Sequence, residues 1–482
     1  MDSQKLLEEQ FPSRRQHMRI DGYVHFIGIG GVGMSGIAEV LHNLGYKVSG
    51  SDIGTGATID RLSQLGIKIF PKHEAQNVEQ AALIVVSSAI KEDNPEIQQA
   101  RVKNIPIIRR AQMLAEIMRF RYGITVAGTH GKTSTTAMLA TVFTAAGLDP
   151  TFVNGGVVKT AGCNAHLGKS EYMIAEADES DASFLHLSPF VSVILNIEKD
   201  HMETYHGDFD NMKQTYLNFL HNMPFYGTAI VCYDSPTVRE IIPAIGRKTI
   251  TYGYEEGADY LITSYTAGLF SCKFTLLTPE QQTLEFELGV SGKHMASNAA
   301  AAAIVALNEG ISVDKIQLGL KSFTGAGRRF DRIGNFQIDP QRQALFIDDY
   351  GHHPTELEAT INTARDMFPE RRLVMIFEPH RYTRTRDLFD DFALTLSKVD
   401  QVILLDVYAA GESPIVGADS ASLARAIRAL GKDCLALGQQ NLLDTLKLVL
   451  QDQDIVFSQG AGSVSRKVHA LIKDAGWQKV VE

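Results

Sequence analysis

Cysteine and tryptophan are scarce in this chain, with four and one among 482 residues. Cys163, Cys232, Cys272 and Cys434 lie far apart, with no C-x-x-C pair and no zinc-type spacing. A disulfide scaffold and a zinc module are therefore excluded, and reduced structural thiols are expected. No run of about 18 apolar residues occurs, which leaves no candidate membrane-spanning helix. The first residues, Met1 to Ile20, are polar, carry Lys5, Arg14, Arg15 and Arg19, and lack an apolar centre, so no signal peptide is expected. A cytoplasmic location follows as an expectation. Basic charge is not in excess either: 46 Lys and Arg against 56 Asp and Glu leave a net charge of −10 and a pI near 5.9. That balance argues against a general nucleic-acid binder or a membrane-surface protein and points to small-molecule partners, with a local basic pocket for phosphates still allowed.

What is present is an ordinary globular composition, 44% hydrophobic and 21% charged, on a chain long enough for about three domains. One stretch organises it. Ile124 to Met138 runs from an apolar strand into Gly128-Thr129-His130-Gly131-Lys132-Thr133-Ser134 and then into small, helix-compatible residues. Glycines at 128 and 131 let the backbone approach an anion, and the N–H groups of the first helical turn point at it. Lys132 then reaches terminal phosphates and the Thr133 hydroxyl ligates Mg²⁺. The full G-x-x-x-x-G-K-[ST] pattern would need glycine at 126, where the chain has Val126, so this is a shortened relative. The bland alternative is an ordinary strand-to-helix turn.

Upstream, Tyr23 to Ile27 reads as a strand entering Gly28-Ile29-Gly30-Gly31-Val32-Gly33, a complete G-x-G-x-x-G, followed by a helix over Met34–Leu44 and a second strand over Tyr46–Gly50. Asp52 stands 19 positions beyond Gly33, where a dinucleotide fold places an acceptor for a ribose hydroxyl. On this stretch alone NAD is the default ligand. A later strand, Ala82–Val86, ends in Ser87-Ser88, which offers further anion contacts, and the separate loop at 128 implies a second phosphorylated ligand.

The spacing closes a first domain at residues 1–121, sets a central domain at 122–326 and a third at 327–482. In the central domain, strands at Tyr172–Ala175 and Val191–Leu195 carry Glu176 and His201 at or beyond their ends, where an open sheet presents groups to a ligand crevice beside Thr133. Thr249 to Val290 alternates as antiparallel strands do, and an alanine-rich helix over Ser297–Leu307 follows Ser291-Gly292-Lys293-His294. Phe323 to Asp331 reads as a hinge into the third domain. There, apolar runs at Ala344–Ile347, Leu373–Phe377, Gln401–Leu405 and Asp454–Phe457 form a second doubly wound sheet. The loops after them, Asp348 to Pro354, Glu378 to Arg386 and Gln459 to Gly462, mix His, Arg and Gly and suggest an anionic substrate, capped helix starts being the alternative. The fold expected is α/β in three domains: N-terminal Rossmann-like, a central phosphate-loop ATPase-type sheet with antiparallel strands, and C-terminal Rossmann-like.

Gly28 to Gly33, Gly128 to Thr133, Glu176 to Asp181, Asn196 to His201, Gly327 to Asp331, Asp348 to Pro354 and His380 to Arg386 together resemble the Mur ligase family of peptidoglycan synthesis, over nearly the whole chain. The resemblance implies a UDP-substrate domain, an ATP domain and an amino-acid domain, in that order. It further implies an ATP- and Mg²⁺-dependent ligase that joins L-alanine to the carboxylate of UDP-N-acetylmuramate through an acyl phosphate, as a monomer or dimer.

Residue by residue, the resemblance implies that Gly128, Thr129, His130, Gly131, Lys132, Thr133 and Ser134 hold ATP phosphates. Thr133, Glu176 and His201 would ligate metal, while His294 and Asn298 lie at the adenine. Met295 stands where similar enzymes have a first Asn. Arg329 would reach the γ-phosphate and Asp349 the ATP ribose. Gly30, Gly31, Gly33, Asp52, His73, Ser87 and Ser88 would surround the uridine diphosphate. His352, His380 and Arg384 match loops near the muramyl carboxylate and amino acid, and His352 is the candidate for orienting or deprotonating the amine. Lys213 is the nearest candidate for the carbamylated lysine of some relatives. Three rivals stand beside this reading: a ligase of the same family that attaches a preformed peptide, an NAD-dependent oxidoreductase, and a non-catalytic nucleotide-binding protein.

Overall fold

The structure is a computed structural model that describes residues 18–87, 89–438 and 441–480. It is an α/β protein with three sheets. The first holds β1 (Tyr23–Ile27), β2 (Lys47–Ser51), β3 (Lys68–Phe70), β4 (Ala81–Val86) and β5 (Ile107–Arg109), all parallel, in the order β3-β2-β1-β4-β5. Val24, Phe26 and Ile27 of β1 are fully buried, as befits a central strand covered on both faces. The order reverses at β1, so the glycine-rich turn after it sits at the switch point, followed by α1 (Val32–Asn43). The sheet ends in α2 (Arg110–Met118).

The second sheet is built around β6 (Tyr122–Ala127), which feeds the phosphate loop and α3 (Lys132–Ala145). Ten consecutive residues of α3, Ser134 to Phe143, are buried, so this helix lies inside the domain rather than on its surface. The other strands are β7 (Thr151–Val158), β8 (Cys163–His166), β9 (Tyr172–Glu176), β10 (Val191–Ile194), β11 (Thr228–Cys232), β12 (Lys248–Gly253), β13 (Tyr260–Gly268), β14 (Ser271–Leu277) and β15 (Thr283–Leu288). Their order is β15-β14-β13-β12-β11-β10-β6-β9-β7-β8. β6 pairs in parallel with β10 on one side and β9 on the other, which brings the ends of those three strands together. Among the helices of this part are α4 (Phe209–His221) and α5 (Lys293–Asn308).

The third sheet runs β20-β19-β18-β21-β17-β16-β22, from β16 (Asp331–Asp339), β17 (Arg342–Asp349), β18 (Leu373–Phe377), β19 (Gln401–Leu404), β20 (Asp433–Ala436), β21 (Asp454–Gln459) and β22 (Gln478–Lys479). Leu345 and Ile347 of β17 with Met375 and Phe377 of β18 face one core, while Ala344, Phe346, Val374 and Ile376 face the other. This is the two-residue period of a sheet covered on both sides. The helices that matter for the site are α6 (Pro354–Met367), α7 (Tyr382–Asp387) and α8 (Val464–Asp474).

The chain forms two compact units. One holds the described residues up to Thr263 with Leu276–Leu284 and Asn298–Ser322; the other holds Ser264–Thr275, Glu285–Ser297 and the described residues from Phe323. Within the first unit, one apolar cluster runs from β1 and α1 through Ala165 to Tyr216 on α4. Gly36 of α1 permits that contact, because a Cβ there would sit 2.9 Å from the Cβ of Ala165.

The central sheet contains antiparallel strands, as expected, β7 with β8 among them, but at the start of the stretch from Thr249 β12 pairs in parallel with β11 and with β13. Both-face burial and one-face burial look alike in so short a stretch. The hinge expected at Phe323–Asp331 ends in β16, antiparallel to β17, and the alanine-rich helix begins at Lys293, ahead of the expected Ser297. The residues Ala299 to Ala303 are fully buried in that helix. An Ala301→Leu variant therefore overpacks the core, and we expect it to lose about 1–3 kcal/mol of stability in urea unfolding.

Candidate active site

The phosphate loop is shaped by backbone conformations that favour glycine. Gly128 has φ of 140° and Gly131, the N-cap of α3, has φ of 87°. A Cβ on Gly128 would press within 3.1 Å of the Asn196 backbone, and one on Gly131 would come within 3.0 Å of the Asn298 amide oxygen. Asn298 thus lies directly against the loop. No side chain caps α3, and no acidic residue occupies its first turn, so its leading N–H groups are disposed toward an anion.

Asn196 holds the loop from outside. Its Oδ1 accepts from the His130 N–H (2.8 Å), its Nδ2 donates to the His130 carbonyl (3.1 Å), and its own carbonyl accepts from the Thr129 N–H (3.1 Å). The Thr129 hydroxyl also accepts from the Glu198 N–H at 2.9 Å. The Lys132 ammonium donates to the carbonyls of Gly128 (2.7 Å) and Thr129 (3.1 Å) and pairs with Glu179 at 2.8 Å. Burial opposes its charge, but Glu179 and Asp178 outweigh burial and raise its pKa. Burial, reinforced by Asp178, pushes the Glu179 carboxyl up to about 7 against the pull of Lys132. Burial would also raise Asp178, but Arg110 at 3.0 Å and Lys132 prevail and lower it.

Glu176 ends β9 opposite Val126 of β6, its Oε1 accepting from the Gly155 N–H at 2.9 Å. Asn196 to His201 follow β10 on the other side of β6. His201 has a left-handed φ of 52°; its N–H donates to Asp200 Oδ1 at 2.9 Å. Thr133 stands in the first turn of α3. Glu176 is thus at a strand end and Thr133 in the helix that follows the neighbouring strand, while His201 lies seven residues beyond the end of β10. The hydroxyl and carboxylate oxygens suit a hard cation such as Mg²⁺, the imidazole less so. Lys213, on α4, is held by Asp210 (2.6 Å) and Glu240 (2.7 Å), and these contacts raise its pKa.

At the glycine-rich turn, the N–H groups of Gly30 (2.8 Å) and Gly54 (2.7 Å) donate to Asp52. Gly31 is the uncapped N-cap of α1, Gly33 leaves room for Arg110, and Ser87 approaches Gly28. Ser88 lies outside the described residues. His73 meets Ser51 at 2.8 Å, at the end of β2. Neither Asn196 nor Arg110 is among the site residues expected from sequence, although Asn196 opens one of the strings that carry the resemblance: both act across 66–68 positions of chain.

In the second unit, Glu356 is the organising group. It accepts from Arg329 (3.2 Å) and from the N–H of His352 (2.8 Å), and it closes a capping box at the start of α6 with His353 as N-cap. Glu356 is not among the site residues expected from sequence; the string His-Pro-Thr-Glu, a glutamate three residues after the cap position, is the signal that could have found it. Asp349 is buried; its pKa rises to about 6 through burial, against Arg329 and the donors Phe330 N–H and Gly351 N–H. The His352 and His380 rings lie 5.7 Å apart, His380 stacks on Tyr408 at 5.4 Å, and the Arg384 guanidinium reaches the His380 ring at 3.3 Å. His352, His380 and Arg384 are thus brought together. His294, near the start of α5, is exposed, and Met295 is buried. The third loop differs from expectation: Glu378 fills it, accepting from Ser463 Oγ (2.6 Å), the Val464 N–H (2.9 Å) and Lys467 (2.8 Å), and a Cβ on Gly462 would meet its carboxylate at 2.4 Å. The helix N-terminus there is already occupied by a carboxylate of the chain.

Three family models match in chain order: the Mur ligase catalytic domain over residues 23–122, the Mur ligase middle domain over 126–306 and the Mur ligase glutamate ligase domain over 328–462. The chain belongs to the Mur ligase family, ATP-dependent ligases of peptidoglycan synthesis. Among solved structures it is similar to the UDP-N-acetylmuramate-alanine ligase of Thermotoga maritima, with 27% identity, 95% of this chain and 99% of that one covered, and a TM-score of 0.80. A murein peptide ligase of Psychrobacter arcticus shares the fold at 22% identity, covering 96% and 100%, with a TM-score of 0.70. The UDP-N-acetylmuramate:L-alanyl-gamma-D-glutamyl-meso-diaminopimelate ligase of Neisseria meningitides matches at 25% identity over 63% of this chain and 98% of that chain, with a TM-score of 0.58. Among the described residues no helix is long and apolar enough to cross a membrane.

Two predictions follow from the geometry. Gly131→Ala forces an L-residue into a left-handed turn against Asn298, and we expect at least about a tenfold loss of ATP-analogue affinity by calorimetry. Burial, with Arg384 and Arg381, lowers the His380 pKa to about 4. The group is therefore neutral when folded but charges near pH 6.5 when unfolded, so its stabilising share is whole above pH 6.5 and is lost as pH falls toward 4. His380→Gln should lose about 1–3 kcal/mol less than wild type across that window in urea titrations.

Proposed function

We propose that this chain joins L-alanine to the carboxylate of UDP-N-acetylmuramate, converting ATP to ADP and phosphate. The observation that carries the reading is the full-length likeness to the Thermotoga maritima alanine ligase, 27% identical over 95% of this chain. It is supported by a phosphate loop that keeps a lysine beside an uncapped helix start.

A carboxylate is a poor acyl donor because its leaving group is oxide. Its oxygen therefore attacks the γ-phosphorus of ATP, the bond to the β-bridging oxygen breaks, and ADP leaves with an acyl phosphate behind. The alanine nitrogen then attacks the acyl carbon, the carbon–oxygen bond to phosphate breaks, and the amine gives up a proton. Most of this work is positioning and charge neutralisation. Lys132, with the N–H groups of α3, holds the transferring group, and Arg329 is assigned to the γ-phosphate, with Asp349 at the ATP ribose and Asn298 and His294 at the adenine. Thr133 and Glu176, with His201, would hold Mg²⁺, which neutralises phosphate charge when bound.

The His352 Nδ1 lies 3.3 Å from the Tyr350 carbonyl, an oxygen that only accepts. The proton is therefore on Nδ1, and Nε2 is the nitrogen able to take one from the amine. His380 and Arg384 are assigned to the carboxylates of the substrates. Gly30, Gly31, Gly33, Asp52, His73 and Ser87 are assigned to the uridine diphosphate.

The competing reading is attachment of a preformed peptide, as the Neisseria meningitides relative is named for. Phosphate release from ATP, measured with UDP-N-acetylmuramate and either L-alanine or L-alanyl-γ-D-glutamyl-meso-diaminopimelate, separates the two. Release should require L-alanine, and Lys132→Ala should lower it by about 100-fold or more. Release with the tripeptide alone would replace this reading by the other.

A further inference from the structure

A buried polar cluster stands beside β2. Glu96 opens the helix Pro95–Val102, where a glutamate ordinarily faces solvent and favours the helix dipole. Here it is turned inward and fully buried. Its Oε2 accepts from the Ser51 hydroxyl (2.6 Å) and lies 3.1 Å from His73 Nδ1; its Oε1 accepts from the Asn77 amide (2.6 Å) and lies 3.5 Å from His25 Nε2. Burial would raise the Glu96 pKa, but the bonds from His25, Ser51 and Asn77 prevail and lower it, so the group is a carboxylate.

Proton counting then fixes the His73 ring. The single Ser51 proton is directed at Glu96, so the Ser51 oxygen, 2.8 Å from His73 Nδ1, can only accept there. Were Nδ1 bare, it would face the lone pairs of both Ser51 and Glu96. Nδ1 therefore carries the proton, and in the neutral ring Nε2 is left as a lone pair.

Where His73 lies follows from the strand order. The glycine-rich turn follows β1, Asp52 follows β2, and His73 lies three residues beyond the end of β3, next outward in the sheet. With the diphosphate at the turn and the ribose at Asp52, the next group outward is the base. Uracil presents a donor, N3–H; cytosine presents a bare acceptor at N3.

We propose that Glu96 is a positioning residue which, through Ser51, holds His73 with Nε2 as an acceptor, and that this acceptor selects a uracil over a cytosine nucleotide. The inference rests on the first sheet being the site of the UDP portion of the substrate. A matched donor meets the lone pair, whereas cytosine sets two lone pairs face to face. In Glu96→Gln the new amide can donate toward Nδ1, move the ring proton to Nε2 and remove the preference.

The test is calorimetric titration of the full chain with UDP and with CDP, for wild type, Glu96→Gln and His73→Ala, with an ATP analogue titrated into each as a check on the fold. Wild type should prefer UDP by about 10- to 100-fold. Both variants should bring the ratio to within about threefold, with ATP-analogue affinity unchanged. A wild type that binds UDP, together with a Glu96→Gln protein that keeps the same UDP-to-CDP ratio, overturns the inference and leaves the ligase reading standing. A wild type that binds no UDP at all overturns the ligase reading, and the inference with it. Should Glu96→Gln fail to fold, the nitrogen-15 shifts of His73 in labelled wild type decide: a protonated Nδ1 with a bare Nε2 supports the inference, and the opposite tautomer ends it.

Discussion

The nucleotide end of the molecule depends on where the Lys132 ammonium rests. Two carbonyls of its own loop and the Glu179 carboxylate hold it, and this is possible only because the loop turns back on itself at Gly131. A lysine folded onto its loop stiffens the turn and keeps a cation beside the uncapped start of α3. Two partners keep the turn in shape: Asn196 from the end of β10 and Asn298 from α5. The acids around it, Glu176, Asp178 and Glu179, would repel one another without Lys132 and Arg110 between them. Charge in this corner is balanced within the chain before any phosphate arrives.

The first unit extends that balance to the glycine-rich turn. Arg110 lies against Gly33 and pairs with Asp178, three residues short of Asp181 in the acidic run beside the phosphate loop. Asn164 donates to the Val32 carbonyl at 2.9 Å, and Gly36 brings α1 onto Ala165. The two sheets of this unit therefore share apolar packing, a hydrogen bond and an ion pair.

Legibility in the sequence tracked the range of the interactions. β1, β18 and the start of α3 were readable to the residue, because each is a continuous apolar run or glycine-marked turn whose signal is local. The parallel pairing of β12 was not legible and β16 was missed, since pairing depends on a partner strand and not on the run itself. The same division holds in the site. Gly128 to Ser134 and the trio His352, His380 and Arg384 belong to dense local strings. Asn196, Arg110 and Glu96 are ordinary polar residues whose roles come from contacts 19 to 68 positions away. Glu356 falls between the two classes, visible as a helix cap and silent about Arg329.

Gly128 to Gly131 and Gly460 to Gly462 both place glycines between a strand and a helix, yet they differ in electrical state. The first helix start is open, while the second is closed by Glu378, seated where a phosphate would otherwise lie. The third sheet thus carries a permanent internal guest. Two loops that a text search would group together are, to an incoming anion, an open helix start and an occupied one, and the difference rests on one carboxylate 82 and 84 positions upstream of the two glycines it fills.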